Sequence, residues 1–140
     1  MKILKKITLL LLVVCLTLCF VGCDKSTNYD NFKPTGVYIV DCINEETYEY
    51  DIYDADFAQK MWKKFDELDI YEDPDAEMGE AYLLLKFYDD DLSDVIFTIY
   101  ENGTCCLNRD YETFYTVELG RPAYVDFCEM YETYDPDAAN

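Results

Sequence analysis

The sequence predicts an α+β domain: an antiparallel sheet of about five strands with two helices, in the order ββαβββα. Three observations predict it. Several short runs alternate apolar and polar residues with period two, as half-buried strands do. Two longer runs repeat apolar residues at helical spacing. The later strands are joined by short turns, which connect antiparallel neighbours.

Gly36 to Ile43 contains Val37-Tyr38-Ile39-Val40, a run rich in β-branched and aromatic residues. Asn44-Glu45-Glu46 turns the chain. From Thr47 to Tyr53, Tyr48, Tyr50 and Ile52 share one face and Glu49 and Asp51 the other, a strand with one wet side. A helix then starts at Asp54 or Asp56. Asp56 with Gln59 three residues on resembles a capping box, and Phe57, Met61, Trp62, Phe65 and Leu68 form the apolar stripe of a helix over 56–68. Lys60, Lys63 and Lys64 lie off that stripe and read as a solvated face balancing nearby carboxylates.

Residues 70–80 read as an acidic loop. Ala81 to Tyr88 is a strand with Leu83, Leu85 and Phe87 on one face and Tyr82, Leu84, Lys86 and Tyr88 on the other. Asp89-Asp90-Asp91 turns it into Val95 to Glu101. Asn102-Gly103 is a strong two-residue hairpin signal, because both positions of that turn favour positive φ. Such a turn sets Tyr100 opposite Cys105 and Ile99 opposite Cys106, so the two cysteines point to opposite faces. Residues 110–118 are irregular or a short strand. Pro122 suits a helix's first turn, and Tyr124, Phe127, Cys128, Tyr131 and Tyr134 follow at helical spacing until Asp135-Pro136. The first helix covers one sheet face. The second either extends that layer or covers part of the other face, where Tyr38, Tyr82, Tyr88 and Tyr100 lie; left open, these tyrosines form a candidate binding face.

Ahead of this domain stands a basic head of Lys2, Lys5 and Lys6, then an apolar run from Ile7 to Val21 ending in a small residue, Gly22. That is the pattern of a secretory signal, and the run is shorter than the roughly 20 residues a spanning helix needs. The boundary Phe20-Val21-Gly22-Cys23 resembles a bacterial lipobox, the motif of lipoproteins. Cys15 and Cys19 follow bulky residues, whereas Cys23 follows glycine. The resemblance implies that residues 1–22 are removed and that Cys23 carries the lipid, anchoring the protein on the extracytoplasmic side of the cell membrane; two acyl chains suffice for stable attachment. Residues 23–35 then read as a polar tether, 36–135 as the domain and 136–140 as a tail.

Three of the eleven basic residues leave with the signal, so eight remain against thirty acidic ones, a net charge of −22 on 118 residues. That disfavours nucleic acid, whose phosphates demand Lys and Arg, and keeps an exported domain soluble. With 14 Tyr, 8 Phe and one Trp, the chain is too aromatic to be disordered. Export permits disulfides. Joining the adjacent Cys105 and Cys106 is strained, leaving two pairings in which one of them meets Cys42 and the other Cys128; the alternative is that some or all of the four are small buried apolar groups.

The chain has no histidine, so the commonest general base and every Cys-His or Ser-His-Asp arrangement are absent. No phosphate loop or nucleophile elbow is found. An enzyme is not expected, and neither is a cofactor. Asp73, Asp75 and Glu77 begin like a calcium loop, but Gly79 is one place late and the twelfth position is Leu84. With Asp89, Asp90, Asp91 and Asp94 they are weak calcium candidates at most. Two roles remain: a non-catalytic module that binds a cell-envelope protein or glycan, and a calcium-binding acidic surface protein.

Overall fold

The computed structural model describes residues 29, 31–43, 45–91, 93–108, 112–118 and 120–135. Two adjoining strands, β1 (Gly36–Ile43) and β2 (Glu46–Ile52), form a hairpin, followed by helix α1 (Ala55–Asp66). Then come β3 (Ile70–Glu72), β4 (Tyr82–Tyr88), β5 (Asp94–Tyr100), β6 (Thr104–Leu107), β7 (Tyr115–Val117) and helix α2 (Gly120–Glu132). The α+β class and both helices agree with the sequence expectation. Among the described residues the sheet has seven strands rather than about five, all antiparallel, in the order β2-β1-β4-β5-β6-β7-β3.

The two additional strands pair with each other. Ile70 stands opposite Val117 and Glu72 opposite Tyr115. Three residues are too few to display an alternation, and Ile70–Glu72 runs into an acidic stretch, so it reads locally as loop. Pairing makes the strand: Ile70 and Val117 are both buried in the core.

Helix α1 begins where Asp54 accepts a hydrogen bond from the Phe57 amide at 3.0 Å, satisfying one of the open N–H groups of the first turn. It carries the chain from β2 at one sheet edge to β3 at the other. At about 18 Å long against a sheet about 29 Å wide, it must lie across the sheet to make that journey. After β7, helix α2 returns beside it. Lys64 of α1 pairs with Asp126 of α2, and Phe57 packs on Tyr134 with ring centroids 4.5 Å apart. Both helices therefore cover the same face. Their buried side chains, including Ala58, Met61, Phe65, Ala123 and Phe127, form one core with Val37, Ile39, Leu83, Leu85, Phe87, Phe97 and Ile99. The strand residues are the ones alternation assigns to that face.

The chain ahead of β1 is also held. Tyr29 meets Trp62 of α1 edge-on at 5.5 Å and Phe32 packs on it at 4.8 Å, Pro34 is fully buried, and the Thr35 amide donates to the Tyr88 carbonyl at 2.9 Å. The end of the stretch read as tether lies against the domain.

The β5–β6 hairpin departs from its expected register by one residue. Ile99 faces Cys105 and Thr98 faces Cys106. The Gly103 amide donates to the Tyr100 carbonyl at 2.9 Å, and Gly103 has φ +89° while Asn102 does not have positive φ. This is a three-residue loop whose last residue is left-handed, the next commonest hairpin after the two-residue one. A shift of one residue exchanges the faces of β6. Cys105 consequently lies in the core beneath the helices, and Cys106 is on the tyrosine side.

Candidate functional site

Alternation brings Tyr38, Tyr82, Tyr88 and Tyr100 to one sheet face, and no described helix covers it. The structure divides them into two groups at opposite ends of β4, about 20 Å apart. At one end Tyr82 and Tyr100 are cross-strand partners with ring centroids 5.8 Å apart. Tyr100 is only 6% exposed, and its hydroxyl donates to Met78 Sδ at 3.1 Å. Loop residues 77–78 wrap this corner: the Glu77 carbonyl accepts from Asn102 at 2.8 Å and from Thr104 at 2.9 Å. Tyr100 is thus a corner of the fold and not a contact residue. At the other end the ring of Tyr88 lies against Gly36, its cross-strand partner, where a Cβ would come within 2.3 Å of the Tyr88 hydroxyl oxygen. Tyr88 and Tyr53 both donate to Asp51, at 2.9 and 2.7 Å. Burial and then that carboxylate hold the Tyr88 hydroxyl above the usual tyrosine range. Tyr38 is half-buried, and the Glu49 carboxylate that accepts from its hydroxyl holds that hydroxyl above the usual tyrosine range. Between the groups lie half-buried Val40 and Leu84, and Lys86 paired with Asp94 at 3.0 Å.

A second constellation escapes the sequence reading. On the helix side, a cleft of about 520 Å³ opens between edge strand β2 and the end of α2, lined by Tyr50, Asp51, Ile52, Tyr131, Glu132 and Tyr134. Tyr50 and Tyr131 stack at 5.3 Å. The Tyr131 hydroxyl donates to Asp41 Oδ2, and that of Tyr134 donates to Asp54 Oδ2 at 3.2 Å. Asp41 is 3% exposed, and its other oxygen, Oδ1, has no hydrogen-bond donor among the described residues. A buried acceptor left unpaired costs about 1–3 kcal/mol. The sequence carries half a signal: Tyr48 and Tyr50 alternate with acids, but that Tyr131 lands beside Tyr50 depends on the direction in which α2 crosses the sheet.

The four described cysteines, Cys42, Cys105, Cys106 and Cys128, are free. Both pairings expected of them fail on topology. Cys42 sits on β1 and the other two strand cysteines on β6, three strands away. That is about 14 Å, where a disulfide allows about 7 Å between Cα atoms. Burial pushes the Cys128 thiol up to about 11, with Asp41 and Glu132 adding to the rise and a hydrogen bond with Tyr124 opposing it, so it is a weak nucleophile at neutral pH.

Two of the acidic turn residues, Asp73 and Asp89, are engaged by the protein's own donors. Asp73 accepts from the Asp75 amide and the Thr116 hydroxyl at 3.1 and 2.8 Å, and Asp89 accepts from the Asp91 and Ser93 amides at 3.0 Å each. Among the described residues, no three acidic or thiol side chains gather as a metal-binding group, so Asp73, Asp75, Glu77, Asp89, Asp90, Asp91 and Asp94 are not brought together. Cys23 and the rest of the export pattern lie outside the described residues, among which no helix is long and apolar enough to cross a membrane. Compared with family models, curated proteins and solved structures, the chain matches none.

Proposed function

We propose that the chain is a lipoprotein, anchored through Cys23 to the extracytoplasmic side of a cell membrane, whose acidic domain is a non-catalytic binding or accessory module for a cell-envelope protein or glycan. The lipobox resemblance supports the anchor. The observation that carries the binding role is the one-sided placement of the helices: both pack on a single sheet face, leaving Tyr38, Tyr82, Tyr88, Val40 and Leu84 half-buried on the face with no described helix. Tyrosine suits such a surface, since it offers a broad ring and a polar tip. The absence of histidine and the raised Cys128 thiol favour binding over catalysis. No observation favours the calcium alternative.

Two measurements test this reading. Metabolic labelling with a fatty acid should mark the wild-type protein, and Cys23→Ala should lose the label and leave an unprocessed or displaced chain; label persisting in that variant refutes the anchor. Tyr82→Ser should lower the melting point only slightly, by about 1 kcal/mol of lost stacking, yet abolish capture of envelope material by the purified protein. Undiminished capture would remove this face from the binding role.

A further inference from the structure

We propose that the cleft between β2 and α2 is a cation site that takes a lysine or arginine side chain of an extended protein segment lying along β2. The proposal builds on the binding-module reading but uses the opposite side of the sheet from Tyr82. Its walls are the rings of Tyr50, Tyr131 and Tyr134, and its volume of about 520 Å³ is in the range of small-ligand sites. One carboxylate, Glu132, lines it, and no lysine or arginine among the described residues does; Asp51 borders it, but its carboxylate lies on the opposite sheet face, where Tyr53 and Tyr88 donate to it. Two more stand behind the rings, where Asp41 and Asp54 accept the hydroxyls of Tyr131 and Tyr134. A phenol donating to a carboxylate gains electron density in its ring, which strengthens attraction for a cation over its face. The Oδ1 of that same Asp41, buried and without a donor among the described residues, is an acceptor that the fold leaves unsatisfied.

The neighbouring strand indicates the form of the ligand. Among the described residues β2 ends the sheet and pairs only with β1, and it is exposed at every residue but Ile52. An extended segment adding to that edge has every second side chain directed to the helix side, where the cleft lies. A second copy of β2 is a poor occupant, because Glu46, Glu49 and Asp51 would meet their own like charges across the new pair. A basic segment meets them with opposite charge.

The test uses the full chain in detergent and a fluorescent synthetic peptide alternating arginine and threonine, followed by anisotropy at about 0.15 M salt, where diffuse attraction between separated charges is screened. Tyr50→Ser and Glu132→Gln, both at exposed positions, should each weaken binding by about tenfold. Asp90→Asn, which removes a charge from a distant turn, and Tyr82→Ser should change it by less than about twofold. Equal weakening by all four variants would show diffuse charge attraction and overturn the proposal, as would unaltered binding by Tyr50→Ser. Loss with Tyr82→Ser alone would overturn the cleft while sustaining the tyrosine face. Displacement by spermidine as effective as by unlabelled peptide would overturn the protein source of the cation.

Discussion

Replacing Gly103 with valine is expected to cost about 3–5 kcal/mol, a large part of the roughly 5–15 kcal/mol that holds a domain of this size together. Two independent penalties combine. The residue sits at φ +89°, where a β-branched side chain is strained. A Cβ there would also lie 2.5 Å from Gly120 Cα, because the hairpin loop meets the first residue of α2 backbone to backbone. Gly103→Asn separates the two. Asparagine tolerates the left-handed region, but its Cβ meets Gly120 all the same, so a substantial loss should remain. Urea unfolding of both variants reads the result. A Gly103→Asn protein as stable as wild type would mean that loop and helix do not touch.

Tyr131→Phe is expected to cost about 2–3 kcal/mol at neutral pH, since it leaves both oxygens of the buried Asp41 without a donor. Asp41→Asn keeps an acceptor for the hydroxyl and should lose less. The same tyrosine governs the response to alkali. Burial, together with the Asp41 carboxylate, holds the Tyr131 hydroxyl neutral well above the usual range, and burial does the same for Tyr124. In the unfolded chain both ionise near pH 10, at about the ordinary tyrosine value. Below that pH their contribution is fully present. Above it the unfolded chain binds fewer protons than the folded one, so stability falls as pH rises toward the folded values. The slope is up to about 1.4 kcal/mol per pH unit for each group. Urea unfolding at intervals from pH 8 to 11 should therefore give a shallower alkaline decline in Tyr131→Phe than in wild type. An equal slope would place the Tyr131 hydroxyl in water.

Much of the fold is legible in the sequence, and the gaps have physical causes. The alternation of β4 and β5 identifies Leu83, Leu85, Phe87, Phe97 and Ile99 as core residues, and all five are fully buried. The stripe of α1 is read from Met61 and Phe65. β3 is missed, and β7 is left open between irregular chain and short strand, because three residues show no period and only pairing makes them strands. The hairpin at Gly103 is read one residue out of register because Asn-Gly serves both a two-residue and a three-residue loop. Packing against Gly120 accompanies the longer one, and this small difference moves Cys105 into the core.

The candidate sites divide in the same way. That Tyr38, Tyr82, Tyr88 and Tyr100 share a face is determined by sequence alone, because successive side chains of a strand point to opposite sides whatever surrounds them. Whether that face is covered, and which of its tyrosines is interior, is decided only when both helices settle on the other side and residues 77–78 fold over Tyr100. The cleft belongs wholly to the tertiary structure. Tyr50, Asp41 and Tyr131 are up to 90 residues apart, and no local period relates them. They meet because α1 must cross the sheet from β2 to β3, and α2, packing beside it, brings its last turn back over β1 and β2.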